Sequence, residues 1–401
     1  MRNTYLTLAI ASMLLISCGA DDTSDIIINN TDNSVTTNNN TTGGTTTDPN
    51  AGEKIDLVGS QTSDLLLEAK NEYTITGPFV METGTTLTIE AGTIIKAQAS
   101  GSDIYIAIAQ GAKIIANGTK DLPIIMTSNS TAPKAGDWGG LILLGKAPIN
   151  SVATGTSTSE IGGLPYGGND AADNSGTIRY VRVQYSGGKA DGQSENNGFS
   201  FYGVGNATTV EYIQMFEGLD DGLEFFGGTV NVSHVSVINA QDDSIDWTEG
   251  YTGNVTDVYV KHGPDHDKGF ECDGYNTDIG NNSSPLYFSK PNVLNVTIVS
   301  LGSDTGNEAV RLRAGTQGIF TNIVMEGFAT GFRLDGDLAD NPTGQGVIDG
   351  DLDASDITFT DVTLKLKNNT GVIFTEADFI SGDGNGTGTD YASWGAGWTV
   401  Q

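Results

Sequence analysis

A frame of small, apolar, polar and apolar residues returns six times between positions 197 and 334, and it limits the folds open to this 401-residue chain. It reads NGFSF at 197–201, DGLEF at 221–225, DSIDW at 243–247, KGFEC at 268–272, EAVRL at 308–312 and TGFRL at 330–334. A second set runs between these segments: VEYIQM at 210–215, VSHVSV at 232–237, VTDVYV at 255–260, VLNVTI at 293–298, FTNIVM at 320–325 and FTDVTL at 359–364. Its third position holds Asp257, Asn295, Asn322 and Asp361, while Tyr212 and His234 depart from the pattern. Asn and Asp tolerate the left-handed backbone that a sharp bend between short strands requires. Two strand families, each returning about every 22 residues, describe a coil that stacks on the previous coil with a rise of ~4.8 Å. Helical repeats need a helix-period pattern that is missing, and propeller blades need units of about 40–45 residues. The expected fold is all-β, a single-stranded right-handed parallel β-helix with coils of about 22 residues. The longer steps are coils with insertions, such as residues 273–290. Fifty-four glycines against ten prolines suit many short strands joined by tight turns.

The first fifty residues have a different character. Arg2 precedes an apolar run from Leu6 to Ile16, which has signal-peptide length and is too short to span a bilayer. Leu15, Ile16, Ser17 and Cys18 close that run and resemble the lipobox of bacterial lipoproteins, whose cysteine is acylated and becomes the new N-terminus. The expected organisation is a signal peptide over 1–17, a lipidated N-terminus and Asn/Thr-rich tether over 18–54, and the β-helix over 55–401. Acyl chains on Cys18 would anchor the protein to a membrane. The acidic GADDTSD after Cys18 resembles the export tag of some Bacteroidota lipoproteins, which implies an outer-membrane location facing the exterior.

Nineteen Lys and Arg stand against 50 Asp and Glu, a net charge of −31, which excludes nucleic acid as a partner because phosphate binding needs a basic face. Cys18 and Cys272 are the only cysteines, and with Cys18 taken by the lipobox the fold is not expected to rest on an internal disulfide. In the first frame, Leu223, Phe225, Ile245, Trp247, Phe270 and Cys272 face inward by strand alternation. The outward positions read Ser200, Glu224, Asp246, Glu271, Arg311 and Arg333. Asp220, Asp221, Asp242 and Asp243 crowd the turn before these strands.

Three readings of this strip stand open. It can be a solvated acidic face with Glu271 and Arg311 as a surface ion pair. It can be a ligand site, with Glu224, Asp246, Trp247, Glu271, Arg311 and Arg333 as binding candidates. In that case Asp220, Asp221, Asp242 and Asp243 are candidate ligands for calcium, a hard cation that takes clustered oxygens, and Trp247, Tyr251 and Tyr275 offer stacking surfaces if exposed. Third, AQDDSIDWTEG with DDG one coil earlier resembles the paired-aspartate region of polygalacturonase-type hydrolases. That resemblance implies an inverting mechanism using Asp221, Asp242 and Asp243. The family's Gly-His-Gly element is here only Lys261, His262, Gly263, and its Arg-x-Lys element is at best Arg311, Leu312, Arg313. A lyase has only Lys268 and Arg311 as basic candidates on this face. His262 and His266 have a zinc-like spacing, but the Gly and Pro between them predict an exposed turn.

The segments at 73–97, 111–128 and 138–149, with FFGGTVNVSHVSV, DDSIDWTEGYTGNV and the closing WGAGWTV, resemble the pectin-lyase-like β-helix lipoproteins of Bacteroidota and spirochaetes. The resemblance implies the β-helix and a surface location. The expected function is non-catalytic binding of glycan, matrix or another protein at the cell surface, with a polysaccharide hydrolase as the alternative and no cofactor other than calcium. WGAGWTV and the coils near 55–75 are expected to cap the open ends of the solenoid.

Overall fold

The sequence period becomes strand register in the computed structural model, which describes residues 52–190, 195–277, 281–282, 284–336 and 342–401. The expected signal peptide, Cys18 and most of the tether lie outside the described residues. Twenty-two strands join one continuous sheet, in which every pairing is parallel. The chain winds as a parallel β-helix with three strips of strands. One strip runs through Leu65–Leu67, Thr86–Ile89 and Lys113–Asn117 into the first half of Gly176–Gln184. The second half of Gly176–Gln184 continues another strip, from Ile94–Ala97 and Ile124–Ser128. The third strip stacks Trp138–Leu144, Phe199–Tyr202, Leu223–Phe226, Ile245–Thr248, Phe270–Asp273 and Glu308–Arg313.

The corner between the first two strips is built by residues that accept a left-handed backbone. Tyr180, Tyr212, His234, Asp257, Asn295, Asn322 and Asp356 have φ between 48° and 59°. Their side chains stack as their backbones do. The rings of Tyr180, Tyr212 and His234 lie 4.5 and 4.1 Å apart. Further along, Asn322 Nδ2 donates to Asn295 Oδ1 at 2.8 Å and Asn295 Nδ2 to Asp257 Oδ1 at 3.1 Å. The last member corrects the sequence alignment. Thr321 pairs with Ser355 and Ile323 with Ile357, so Asp356 follows Asn322. Asp361 falls at the next corner, opposite Gly327, because Glu326 pairs with Thr360 and Phe328 with Val362.

Inside the coils lies one continuous apolar core. Phe201, Phe225 and Tyr251 stack through it at 5.2 and 4.3 Å, and each buried side chain of this size contributes roughly 1.5–3 kcal/mol. The frame's small residue marks a close approach: a Cβ on Gly222 would lie 2.4 Å from Ser244 O and 2.6 Å from a Val237 methyl.

At the C-terminal end, the helices Thr343–Asp349 and Glu376–Phe379 lie over the last coils, and Phe379 packs edge-on to Phe332 at 5.1 Å. WGAGWTV is not the cap that the sequence suggests. Residues after Gly382 turn back and run along the outside of the solenoid, from the coil of Asn322 to the coil of Arg182. Asn322 Oδ1 accepts the N–H of Thr387 at 2.6 Å, Tyr391 stacks on Tyr259 at 3.9 Å, and Trp394 meets His234 edge-on. Arg182 donates to Trp398 O at 3.0 Å, and Gln214 Oε1 accepts the N–H of Val400. No helix among the described residues is long and apolar enough to cross a membrane.

Candidate functional site: an acidic cleft on the third strip

Alternation on the third strip sets which side chains leave the core. Glu224 pairs in register with Ser200 and Asp246, Asp246 with Glu271, Glu271 with Arg311, and Arg311 with Arg333. The outward line read from the sequence is therefore a physical ladder. Trp247 is not part of it. Its ring is fully buried, as are Tyr251 and nearly all of Tyr275, so none of the three presents a face to a ligand.

Two insertions turn the strip into a cleft. The excursion after Leu144 carries the antiparallel ribbon Thr156–Thr158 and Pro165–Gly167. Tyr166 OH fastens it to Glu249 Oε2 at 2.8 Å, and Gln110 Nε2 to Gly167 O at 2.9 Å. Asn150 Nδ2 joins it to the excursion after Asp273 by donating to Gly274 O and Tyr287 O. Beside the first excursion, which supplies Glu160, lies a cavity of about 310 Å³, lined by Glu160, Glu195, Asp220, Asp221, Glu224, Asp242, Asp243, Asp246, Glu271 and Arg313. A smaller space of about 110 Å³ adjoins it, bordered by Thr248, Asp273, Asn276 and Thr277 as well.

The turn aspartates are fixed by main-chain donors. Asp243 N–H donates to Asp221 Oδ1 at 2.9 Å, and Lys268 N–H to Asp243 Oδ1 at 2.7 Å. Each carboxylate thus satisfies the backbone of the next coil and leaves its second oxygen toward the cleft. Burial and the neighbouring carboxyls hold Asp221, Glu224 and Asp246 well above the usual carboxylate range. Asp243 is also raised by burial, with Lys268 opposing. Asp220 is pushed up to about 8 by burial and Glu195, against the lowering effect of Lys189.

The far end of the ladder is neutralised. Arg311 pairs with Asp335 at 2.9 Å and Glu271 at 3.4 Å, Arg313 with Glu271 and Asp273 at 2.6 Å each, and Arg333 with Glu308 at 2.8 Å. Lys268 Nζ is buried among Asp267, Glu271 and Asp243. Burial alone would lower its pKa, but Asp243 and Glu271 raise it, which favours the protonated amine and weighs against it as a proton-abstracting base.

Of the expected metal ligands, Asp221, Asp242 and Asp243 place one oxygen each within 4.8 Å of one another, a set that a hard cation fits. Asp220 instead groups with Glu195 and Asp242. His262 and His266 stand apart from the cleft. His262 is buried rather than exposed, its ring 4.1 Å from that of His266 and edge-on to Phe328, and burial pushes its pKa down to about 3. Among the described residues, neither histidine joins a group of three potential metal ligands.

Glu160, Glu195 and Lys189 are cleft residues that sequence reasoning missed. They lie in STSEIGG, GQSENNG and SGGKADG, segments outside the repeat frame.

Residues 59–399 match the family of pectate-lyase-like β-helix domains. The chain belongs to that family. Among solved structures, this pectate-lyase-like β-helix is similar to the catalytic unit of a thermostable GH87 α-1,3-glucanase from Streptomyces thermodiastaticus strain HF3-3. The two share 12% identity with a TM-score of 0.34, over 81% of this chain. The β-helix chain spans 64% of the length of that catalytic unit. No curated protein matches the sequence.

Proposed function

We propose that the protein is a lipid-anchored outer-membrane protein, displayed at the cell surface, that binds a glycan non-catalytically in the acidic cleft. The observation that carries the binding reading is the cleft itself, a walled space of about 310 Å³ on a rigid solenoid, lined almost wholly by polar side chains. The anchor and location rest on the lipobox-like residues Leu15 to Cys18 and the acidic stretch after them. Binding is tested with a glycan panel on the purified protein, with and without calcium, and Asp246→Asn as the cleft variant. Absence of binding across the panel would remove this reading. Protease shaving of intact cells tests display, and a fully protected body would place the protein inside the outer membrane. Cys18→Ser should release the protein from the membrane fraction.

The convergence of Asp221, Asp242 and Asp243 supports a second reading, an inverting polysaccharide hydrolase. Against it, Asp221 and Asp243 each have an oxygen engaged by a backbone N–H group. Release of reducing ends from polygalacturonate or a related glycan, abolished by Asp243→Asn, would establish the hydrolase.

A further inference from the structure

Two of the protein's own ammonium groups show what the carboxylates of this cleft accommodate. Lys189 Nζ lies 3.0, 3.2 and 3.6 Å from Glu195, Asp220 and Asp242. Lys268 Nζ lies 2.6, 2.9 and 3.6 Å from Asp267, Glu271 and Asp243. An ammonium has three donors, and each of these meets three carboxylates. A third set lies between them. Asp221, Glu224 and Asp246 bring one oxygen each within 4.8 Å of the others. Among the described residues, no lysine or arginine pairs with any of the three.

Unpartnered polar atoms mark the same place. Asp246 Oδ1 is shielded from solvent and has no hydrogen-bond partner. Thr248 is only 7% exposed, and its Oγ1 also lacks a partner. It borders the smaller space together with Glu224 and Asp246. A buried hydroxyl without a partner costs roughly 1–3 kcal/mol, which a bound ligand would recover.

We propose that Asp221, Glu224 and Asp246 bind the primary ammonium of an amino sugar, as their neighbours bind Lys189 and Lys268. The proposal rests on the glycan-binding reading above and names the class of glycan. A uronate is disfavoured because the larger space offers one basic side chain, Arg313, already paired with Glu271 and Asp273, among nine acids. A polyamine or a lysine side chain carries a methylene stem that needs an apolar wall, whereas the larger space is lined by Asp, Glu and Arg alone. Ring hydroxyls find both donors and acceptors in Thr248, Asn276 and Thr277.

The test is calorimetric titration of the full chain, in chelator, with glucosamine oligomers, N-acetylglucosamine oligomers and oligogalacturonate. The glucosamine oligomer should bind. Its affinity should fall at least tenfold in Asp246→Asn and Glu224→Gln and stay unchanged in Glu72→Gln, an exposed acid on Lys54. Melting curves on the same samples check that the variants are folded. Equal binding of the N-acetylated oligomer would overturn the ammonium assignment while keeping the glycan reading. So would binding of oligogalacturonate that appears only with calcium, or an equal loss in Glu72→Gln. Failure of all three glycans, with and without calcium, would overturn both.

Discussion

The main-chain N–H of Asp243 donates to Oδ1 of Asp221 across one coil at 2.9 Å, so an acid of the cleft is also a structural acceptor. Charge and hydrogen bonding can therefore be separated by mutation. Asp221→Asn keeps an acceptor for that N–H and spares the cluster a carboxyl that burial and its neighbours disfavour in charged form, so it should raise the melting temperature at pH 9, where the carboxyls are driven toward the charged form. Asp221→Ala leaves the buried N–H of Asp243 unpaired, which costs roughly 1–3 kcal/mol. Thermal unfolding of both variants checks this, and a stabilised alanine variant would deny the bond its role.

The pH dependence follows from the raised carboxyls. Asp220 titrates near 8 when folded, against ~3.9 when unfolded, and Asp221, Glu224, Asp243 and Asp246 shift the same way. The folded protein then holds protons that the unfolded chain has lost, so stability should rise as pH falls from 8 to 6.5. Below ~6.5, His262 opposes this: its folded pKa of about 3 means that the unfolded chain takes up a proton the folded ring refuses. The rise should become shallower there, and steeper again in His262→Phe. Urea midpoints measured at pH 8, 7.2, 6.5, 6 and 5.5 are the check, and a midpoint falling between 8 and 6.5 would contradict it.

Lys268 and Lys189 both sit among three carboxylates, but at 7% and 31% side-chain exposure. Lys268→Met should cost about 3–5 kcal/mol, because Asp243 is left buried without a counter-charge, whereas Glu271 keeps Arg311 and Arg313. Lys189→Met should cost distinctly less, since water reaches the lysine and two of its partners, Glu195 and Asp242. Denaturant unfolding compares the two, and equal costs would mean that burial does not govern these pairs.

The returning C-terminal segment predicts a stability effect far from the cleft. Trp398 is 1% exposed and lies edge-on to Tyr180 and Tyr212. Trp398→Ala should cost about 3–5 kcal/mol and expose the stacked corner to chymotrypsin at Tyr180 and Tyr212. Unchanged stability and protease resistance would show that the segment only rests on the coils.

What the sequence disclosed, and what it withheld, has a physical division. The outward ladder from Ser200 to Arg333 was legible because a strand has a period of two and the frame's small residue fixes the start of each coil. The inward direction of Trp247 followed from the same rule, which is why its candidacy as a stacking surface fails. Asp361 was misaligned because FTNIVM and FTDVTL look alike, while Asp356 holds the bend through register with Asn322. Glu160 and Glu195 were not legible, since insertions obey no period and reach the cleft only through contacts such as Tyr166 with Glu249. The burial of His262 was missed because turn chemistry predicts backbone shape and says nothing of what packs over it.

The backward course of the last twenty residues also has a mechanical consequence. The chain end is held at Arg182 and Gln214, well before the final coils. Tension between Lys54 and Gln401 would enter at the first coil and leave near the middle of the solenoid. The coils from Leu223 to Arg333 would stay slack while it does, and a domain fused after Gln401 would project from the flank and leave the tip free.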